Sequence, residues 1–247
     1  MNQTSEPIFN VPPVVIGTIV VLALIHGLRV WLLPPFAEHE FILLFAFIPA
    51  RYDPSFVLPG GLPGATGAEI WTFVTYALIH ADALHLGLNA LWLLPFGSAL
   101  ARRLGAGRFL AFLVVTAAAG SGAHLAMHFG ETYPMVGASA AISGTMAAAM
   151  RFAFQRGGPL SAWHSRDNAA YHVPAVSLLG ALRDPRFLAF VAVWFGINAV
   201  FGLGGLQLDN GQTVAWEAHI GGFVAGLLLF SLFDPVERRR SYSDTQY

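Results

Sequence analysis

The sequence predicts an all-α, polytopic membrane protein: a bundle of six transmembrane helices with a long membrane-associated loop between the first two. Three observations carry this. Of 247 residues, 55% are apolar and only 11% are Asp, Glu, Lys or Arg, against about 25% charged in soluble domains. Six apolar stretches recur along the chain, and a span needs about 20 residues. The basic residues, all arginine, segregate to alternate connections. The same composition excludes other classes. A soluble globule would need a more polar surface, and disordered chains have more charge and fewer aromatics. A net charge of −1 offers nothing to nucleic acid. With no cysteine there is no disulfide, thiolate metal site or cysteine nucleophile.

The elements follow in order. Val14–Leu33 is the first span; with no basic region before it, it reads as a retained anchor rather than a signal peptide. Pro34–Ile70 is the long loop. Within it Phe41–Ala50 is too short to cross a bilayer and reads as an interfacial or re-entrant scaffold, and Pro59–Gly67 is rich in turn formers. Further spans are expected at Leu84–Leu100, Phe109–Phe129, Ala138–Phe154, Phe187–Leu203 and Ala218–Phe233, with a polar, Pro/Gly-punctuated loop over Gln155–Pro185. No internal repeat or soluble domain is evident. The layout is a short N-terminus (residues 1–13), one six-span membrane domain (14–233) and a C-terminal tail (234–247).

Orientation is read from the arginines. Arg102, Arg103, Arg108, Arg151, Arg156, Arg166, Arg183, Arg186, Arg238, Arg239 and Arg240 fall on one side if the spans alternate, making that side cytoplasmic. Both termini are then cytoplasmic. The opposite side holds Arg51 and most of the acids, including Glu38, Asp82, Glu131 and Glu217.

Polar side chains at membrane depth are costly, about 2.5–3.5 kcal/mol for a charged one, so each needs a reason. Three clusters stand out. His80, His85 and Asn89 form H-x4-H-x3-N at the start of the second span, with His85 and Asn89 on one helix face. Gly137-Ala-Ser139 opens the fourth, followed by a small-residue seam of Ala140, Gly144 and Ala148. His219, Gly222 and Gly226 share a face of the sixth, with a GxxxG contact beside the histidine. All three clusters lie toward the outer side. Singly, each has a plain alternative: Ser139 as a helix-packing serine, His219 as a structural hydrogen-bonder, His85 with Asn89 as a buried polar contact. Together they are the inventory for acyl transfer, a nucleophile with a base and oxyanion donors.

On these residues the sequence resembles the rhomboid intramembrane serine proteases. The likeness runs through Trp71–Gly107, Gly137–Gly144 and Ala218–Gly226. It implies that Ser139 is the nucleophile and His219 its base, in a dyad without aspartate. It further implies that His85, Asn89 and the Ser139 backbone N–H form the oxyanion hole, with His80, Gly137, Gly222 and Gly226 structural around them. Activity on transmembrane protein substrates within the lipid bilayer, without cofactor or metal, is the implied function. The alternative is a catalytically silent relative that binds membrane clients. Four positions depart from the family pattern: Thr72 stands for arginine, Ala101 for glutamate, Ala140 for glycine, and Ser143 for a tyrosine that stacks on the catalytic histidine.

Other polar positions receive structural readings. His124 and His128 have the i, i+4 spacing of a metal pair, but no third ligand is obvious. His26 and Arg29 face the protein interior or snorkel. Asn198 reads as interhelical glue, and Trp71, Trp92, Trp194 and Trp216 as interfacial anchors. The polar stretch Gly204–Trp216 is a candidate gate. Arginine without lysine, with abundant Ala and Gly, points to a bacterial inner membrane from a GC-rich genome.

Overall fold

The computed structural model describes residues 10–58, 60–161, 168–202 and 214–236. Helix α1 covers Pro13–Gly27, with a proline suited to its first turn, and runs on through a π turn to Leu32. The 34–70 stretch is more ordered than a loop. It holds α2 (Pro35–Phe45), a 3₁₀ turn at Pro49–Tyr52, and the start of α3 (Ala65–Thr75). Phe41–Ala50 is therefore not one re-entrant element. After Phe45 the chain extends, Ala46, Phe47 and Ile48 are buried, and Phe47 exchanges two backbone hydrogen bonds with Met135. Burial under protein accounts for the second half of that apolar run, Ala46–Ala50, while Phe41–Phe45 stay half-buried.

Helix α4 (Ala83–Trp92) starts at Asp82, whose carboxylate accepts the His85 backbone N–H at 2.7 Å. Pro95 cannot donate a backbone bond, and a π segment over Leu93–Gly97 absorbs it. The path then continues as α5 (Ser98–Leu104), so the second apolar stretch is longer than the sequence suggests. Gly105, at φ +77°, separates it from α6 (Ala106–Met127). Then come α7 (Ser139–Ala153), the short α8 (Leu178–Ala181), α9 (Pro185–Gly202) and α10 (Trp216–Phe233).

Among the described residues, four stretches are long and apolar enough to cross a membrane: Pro13–Leu32, Ala83–Leu104, Ala106–Met127 and Trp216–Phe233. Helix α9 is apolar over the shorter Pro185–Val200. Helix α7 has 15 residues. At 1.5 Å per residue that is about 22 Å, short of the roughly 30 Å hydrocarbon core. It sits inside the protein instead, with every residue from Ala140 to Ala153 buried. Ala, Gly, Ser and Thr dominate its first half because neighbouring backbones pass so close.

The tightest of these junctions is between α7 and α10. A Cβ on Gly222 would lie 2.0 Å from the Ala140 carbonyl oxygen, and one on Gly226 would lie 2.4 Å from that of Gly144. On the other flank, α6 fits against the same pair through Gly120, where a Cβ would lie 2.5 Å from the Ala140 methyl. These are contacts only glycine permits. At the arginine-rich end, two buried guanidinium groups tie the bundle. Arg103 makes a two-pronged pair with Asp234 at 2.9 Å, donates to the Tyr171 and Val173 carbonyls, and lies over the Phe152 ring. Arg151 donates to the carbonyls of Val176 and Leu227. Such satisfaction is what allows a cation at 1% exposure.

Gly226→Ala is expected to lower stability by about 1–3 kcal/mol through overpacking, read as a drop in the thermal unfolding midpoint in detergent. Gly17→Ala, where nothing lies within 4 Å of the new methyl, should lose nothing.

Candidate active site

Ser139 is the first residue of α7, and His219 lies in the first turn of α10. The α7–α10 contact brings them together across 80 positions of sequence: Ser139 Oγ and His219 Nε2 are 2.7 Å apart. The other ring nitrogen, Nδ1, is 2.6 Å from the side-chain oxygen of Asn198 on α9. An amide oxygen can only accept, so Nδ1 carries the proton and Nε2 is left to accept from the hydroxyl. The Asn198 amide nitrogen donates to the Trp194 carbonyl at 2.8 Å, which fixes the orientation of the oxygen. Asn198 is thus more than glue between helices. The sequence signal that could have found it is an amide within an otherwise apolar helix.

The loop entering α7 is held from both sides. Gly137 donates to the Tyr76 carbonyl at 3.0 Å, and the Tyr76 hydroxyl donates to the Ala117 carbonyl at 2.8 Å. Gly137 has φ +120°, a conformation that disfavours any side chain. A Cβ there would also stand 2.6 Å from His85 Nε2 and 3.7 Å from Ser139 Oγ. The absent side chain is therefore the space that lets His85 reach the serine loop. His85 Nδ1 accepts the Ala81 backbone N–H at 3.4 Å, leaving Nε2 as the protonated nitrogen on the site side. The N–H groups opening α7, Ser139 included, have no intrahelical acceptor.

Asn89 is placed differently. It is buried, and its amide nitrogen donates to the His85 carbonyl at 2.9 Å, one turn back on α4. His80 is fully buried and meets the His85 ring edge-on, with centroids 5.1 Å apart. Arg29 faces inward, donating to the Ala81 carbonyl at 3.1 Å beside this cluster, with Glu38 at 3.4 Å. Gly222 and Gly226 occupy the helix junction already described. The Gly204–Trp216 gate falls mostly outside the described residues.

Comparison with known proteins places the chain in a family. The Rhomboid domain family model matches residues 67–234, which include every residue of the cluster apart from Arg29 and Glu38. The chain belongs to the rhomboid family. It is 27% identical over 161 residues to the rhomboid protease GlpG of Enterobacter sp. (strain 638), covering 65% of this chain and 48% of that one. It is also 27% identical over 162 residues to the rhomboid protease GlpG of Yersinia pseudotuberculosis serotype I (strain IP32953), covering 65% and 47%. The chain thus spans about half the length of these curated relatives.

Each departure from the rhomboid pattern has a physical counterpart in this member of the family. The Ala140 methyl is accommodated by Gly120 on α6. Ala101 supplies no acid for Arg103, and Asp234 supplies one instead. Thr72 is buried, with its hydroxyl donating to the Ala68 carbonyl at 2.6 Å and 3.0 Å from the Tyr52 hydroxyl. Ser143 is buried, and no aromatic ring stacks on His219 among the described residues; the Asn198 hydrogen bond orients the imidazole.

Gly137→Ala is expected to push His85 or the serine loop aside. The readout is loss of fluorophosphonate labelling of Ser139 in protein that still inserts and folds; labelling at the parent level would show that the loop tolerates a methyl.

Proposed function

We propose that this rhomboid is an active intramembrane serine endopeptidase that cleaves transmembrane segments of substrate proteins through Ser139 and His219. The observation that carries the reading is the 2.7 Å contact between Ser139 Oγ and His219 Nε2, with the outer nitrogen of the ring already anchored. A serine hydroxyl is a weak nucleophile until a base takes its proton, and a neutral imidazole suits that task. In the reaction, Ser139 Oγ attacks the scissile carbonyl as its proton passes to His219 Nε2. The negative oxygen is held by His85 Nε2–H, Asn89 and the Ser139 backbone N–H. His219 then protonates the leaving amine, and water hydrolyses the acyl-enzyme with the same nitrogen as base. No step calls for a cofactor.

Asn198 is a positioning residue here. It keeps His219 in the tautomer that accepts from serine, as the carboxylate does in soluble triads. The short α7 also suits the chemistry. If its far end is level with the arginine-rich face, Ser139 stands about 8 Å inside the hydrocarbon boundary, a depth that an outward-opening cavity can keep wet. By the distribution of arginines, the Ser139 end of α7 faces away from the cytoplasm of a bacterial inner membrane, and both termini are cytoplasmic.

Ser139→Ala should abolish cleavage of a model transmembrane substrate while the fold is retained; full activity would end the proposal. His85→Ala should cost about 2.7–4 kcal/mol of barrier, or 10²–10³ in kcat. Asn198→Ala removes one hydrogen bond, worth about 0.5–1.5 kcal/mol, so kcat should fall up to about tenfold with KM unchanged. Asn198→Asp, which keeps the acceptor, should restore it. A loss confined to KM would remove Asn198 from the catalytic arrangement.

A further inference from the structure

On the far side of His219's helix from Ser139 stands a second polar cluster that the dyad does not use. His124 and His128 lie one turn apart at the end of α6, their rings stacked with centroids 4.5 Å apart. Glu217, at the start of α10, points one carboxylate oxygen at both: 2.5 Å from His124 Nδ1 and 3.1 Å from His128 Nε2. The sequence offers no third ligand for this histidine pair; the packing of α10 on α6 supplies it. The three ligand atoms lie within 4.8 Å of one another, and Glu131 stands 3.0 Å from the other nitrogen of His128.

Protons alone serve this arrangement poorly. Glu217 is 3% exposed, and a buried carboxylate needs compensating charge. Among the described residues its ion-pair partners are these two imidazoles only. The two stacked rings both turn a nitrogen toward the same carboxylate oxygen. Only the His124–Glu217 contact has hydrogen-bond geometry. A cation uses all three groups at once as acceptors. Two imidazole nitrogens and one carboxylate oxygen are the donor set of zinc and its late first-row neighbours, rather than of magnesium or calcium. Tetrahedral bonds of about 2.0–2.1 Å need ligand atoms roughly 3.3 Å apart. Binding an ion would open the 2.5 Å contact and draw in the widest pair.

We infer that His124, His128 and Glu217 form a binding site for one zinc-class divalent ion, which clamps the end of α6 to the start of α10. Glu131 lies where a carboxylate orients a metal-bound imidazole. Because Glu217 precedes His219 by two residues, the ion would hold the turn of α10 that carries the candidate base. The site does not depend on proteolysis.

The test uses the full chain in detergent micelles, titrated with Co²⁺ and followed by visible d–d absorption, then displaced with Zn²⁺. The expected result is one ion per chain and a zinc-dependent rise in the thermal unfolding midpoint. His128 is partly exposed, so His128→Gln should fold; it should weaken binding by at least about tenfold and abolish the thermal shift. Ser139→Ala should bind as the parent does, which separates this site from the dyad. Absence of Co²⁺ bands and of a zinc-dependent shift would overturn the site and leave a hydrogen-bonded charge cluster only. Equal binding by parent and His128→Gln would do the same.

Discussion

The approach of two backbones, α7 and α10, is the constraint on which the rest of this protein rests. Gly222 meets the Ala140 carbonyl and Gly226 meets that of Gly144 where a Cβ would overlap them. Within a bilayer, lipid tails are as apolar as leucine, so helices gain by close packing rather than by hiding apolar area from water. Small residues maximise that packing. They also set the distance at which the serine at one helix end and the histidine at the other can share a proton. A bulkier interface would be no less apolar, but it would hold the two polar groups apart and leave both unsatisfied.

Two further supports keep that contact in register. At the serine end, the pairing of Phe47 with Met135 and the hydrogen bond from Gly137 to Tyr76 tie the loop before Ser139 to the 34–70 stretch and α3. At the other end, Arg103 and Arg151 bind carbonyls and Asp234 from several elements. The helices are thus pinned near both ends, and α7, protein-covered along its length, has little freedom to slide. Several buried polar groups find partners locally, whereas both ring nitrogens of His80 have none among the described residues. Arg29 meets Ala81, Asn198 meets both His219 and Trp194, and Glu217 meets two histidines.

The departures from the family pattern show how one packing problem admits several solutions. A methyl at 140 is matched by its absence at 120. A missing acid beside Arg103 is replaced from the chain's other end. The imidazole, with no aromatic ring stacked on it among the described residues, is oriented by an amide. Each pair couples residues remote in sequence, so neither member can be interpreted alone.

What the amino-acid sequence determined by itself was everything set by composition and short-range spacing. The apolar runs mark the helices, the arginines mark one end, and the H-x4-H-x3-N, G-x-S and A-H-x-G-G-x3-G patterns mark Ser139, His219 and His85. Those signals are local, because helical periodicity relates residues only a turn or two apart. Tertiary structure alone decided what each polar group touches. It gave Asn198, read as interhelical glue, the imidazole of His219 as its partner, and it buried Ala46–Ala50 beside Met135. It also gave His124 and His128 a carboxylate from another helix. A hydrogen bond's worth depends on a partner within about 3 Å, and which distant residue arrives there is set by how helices cross.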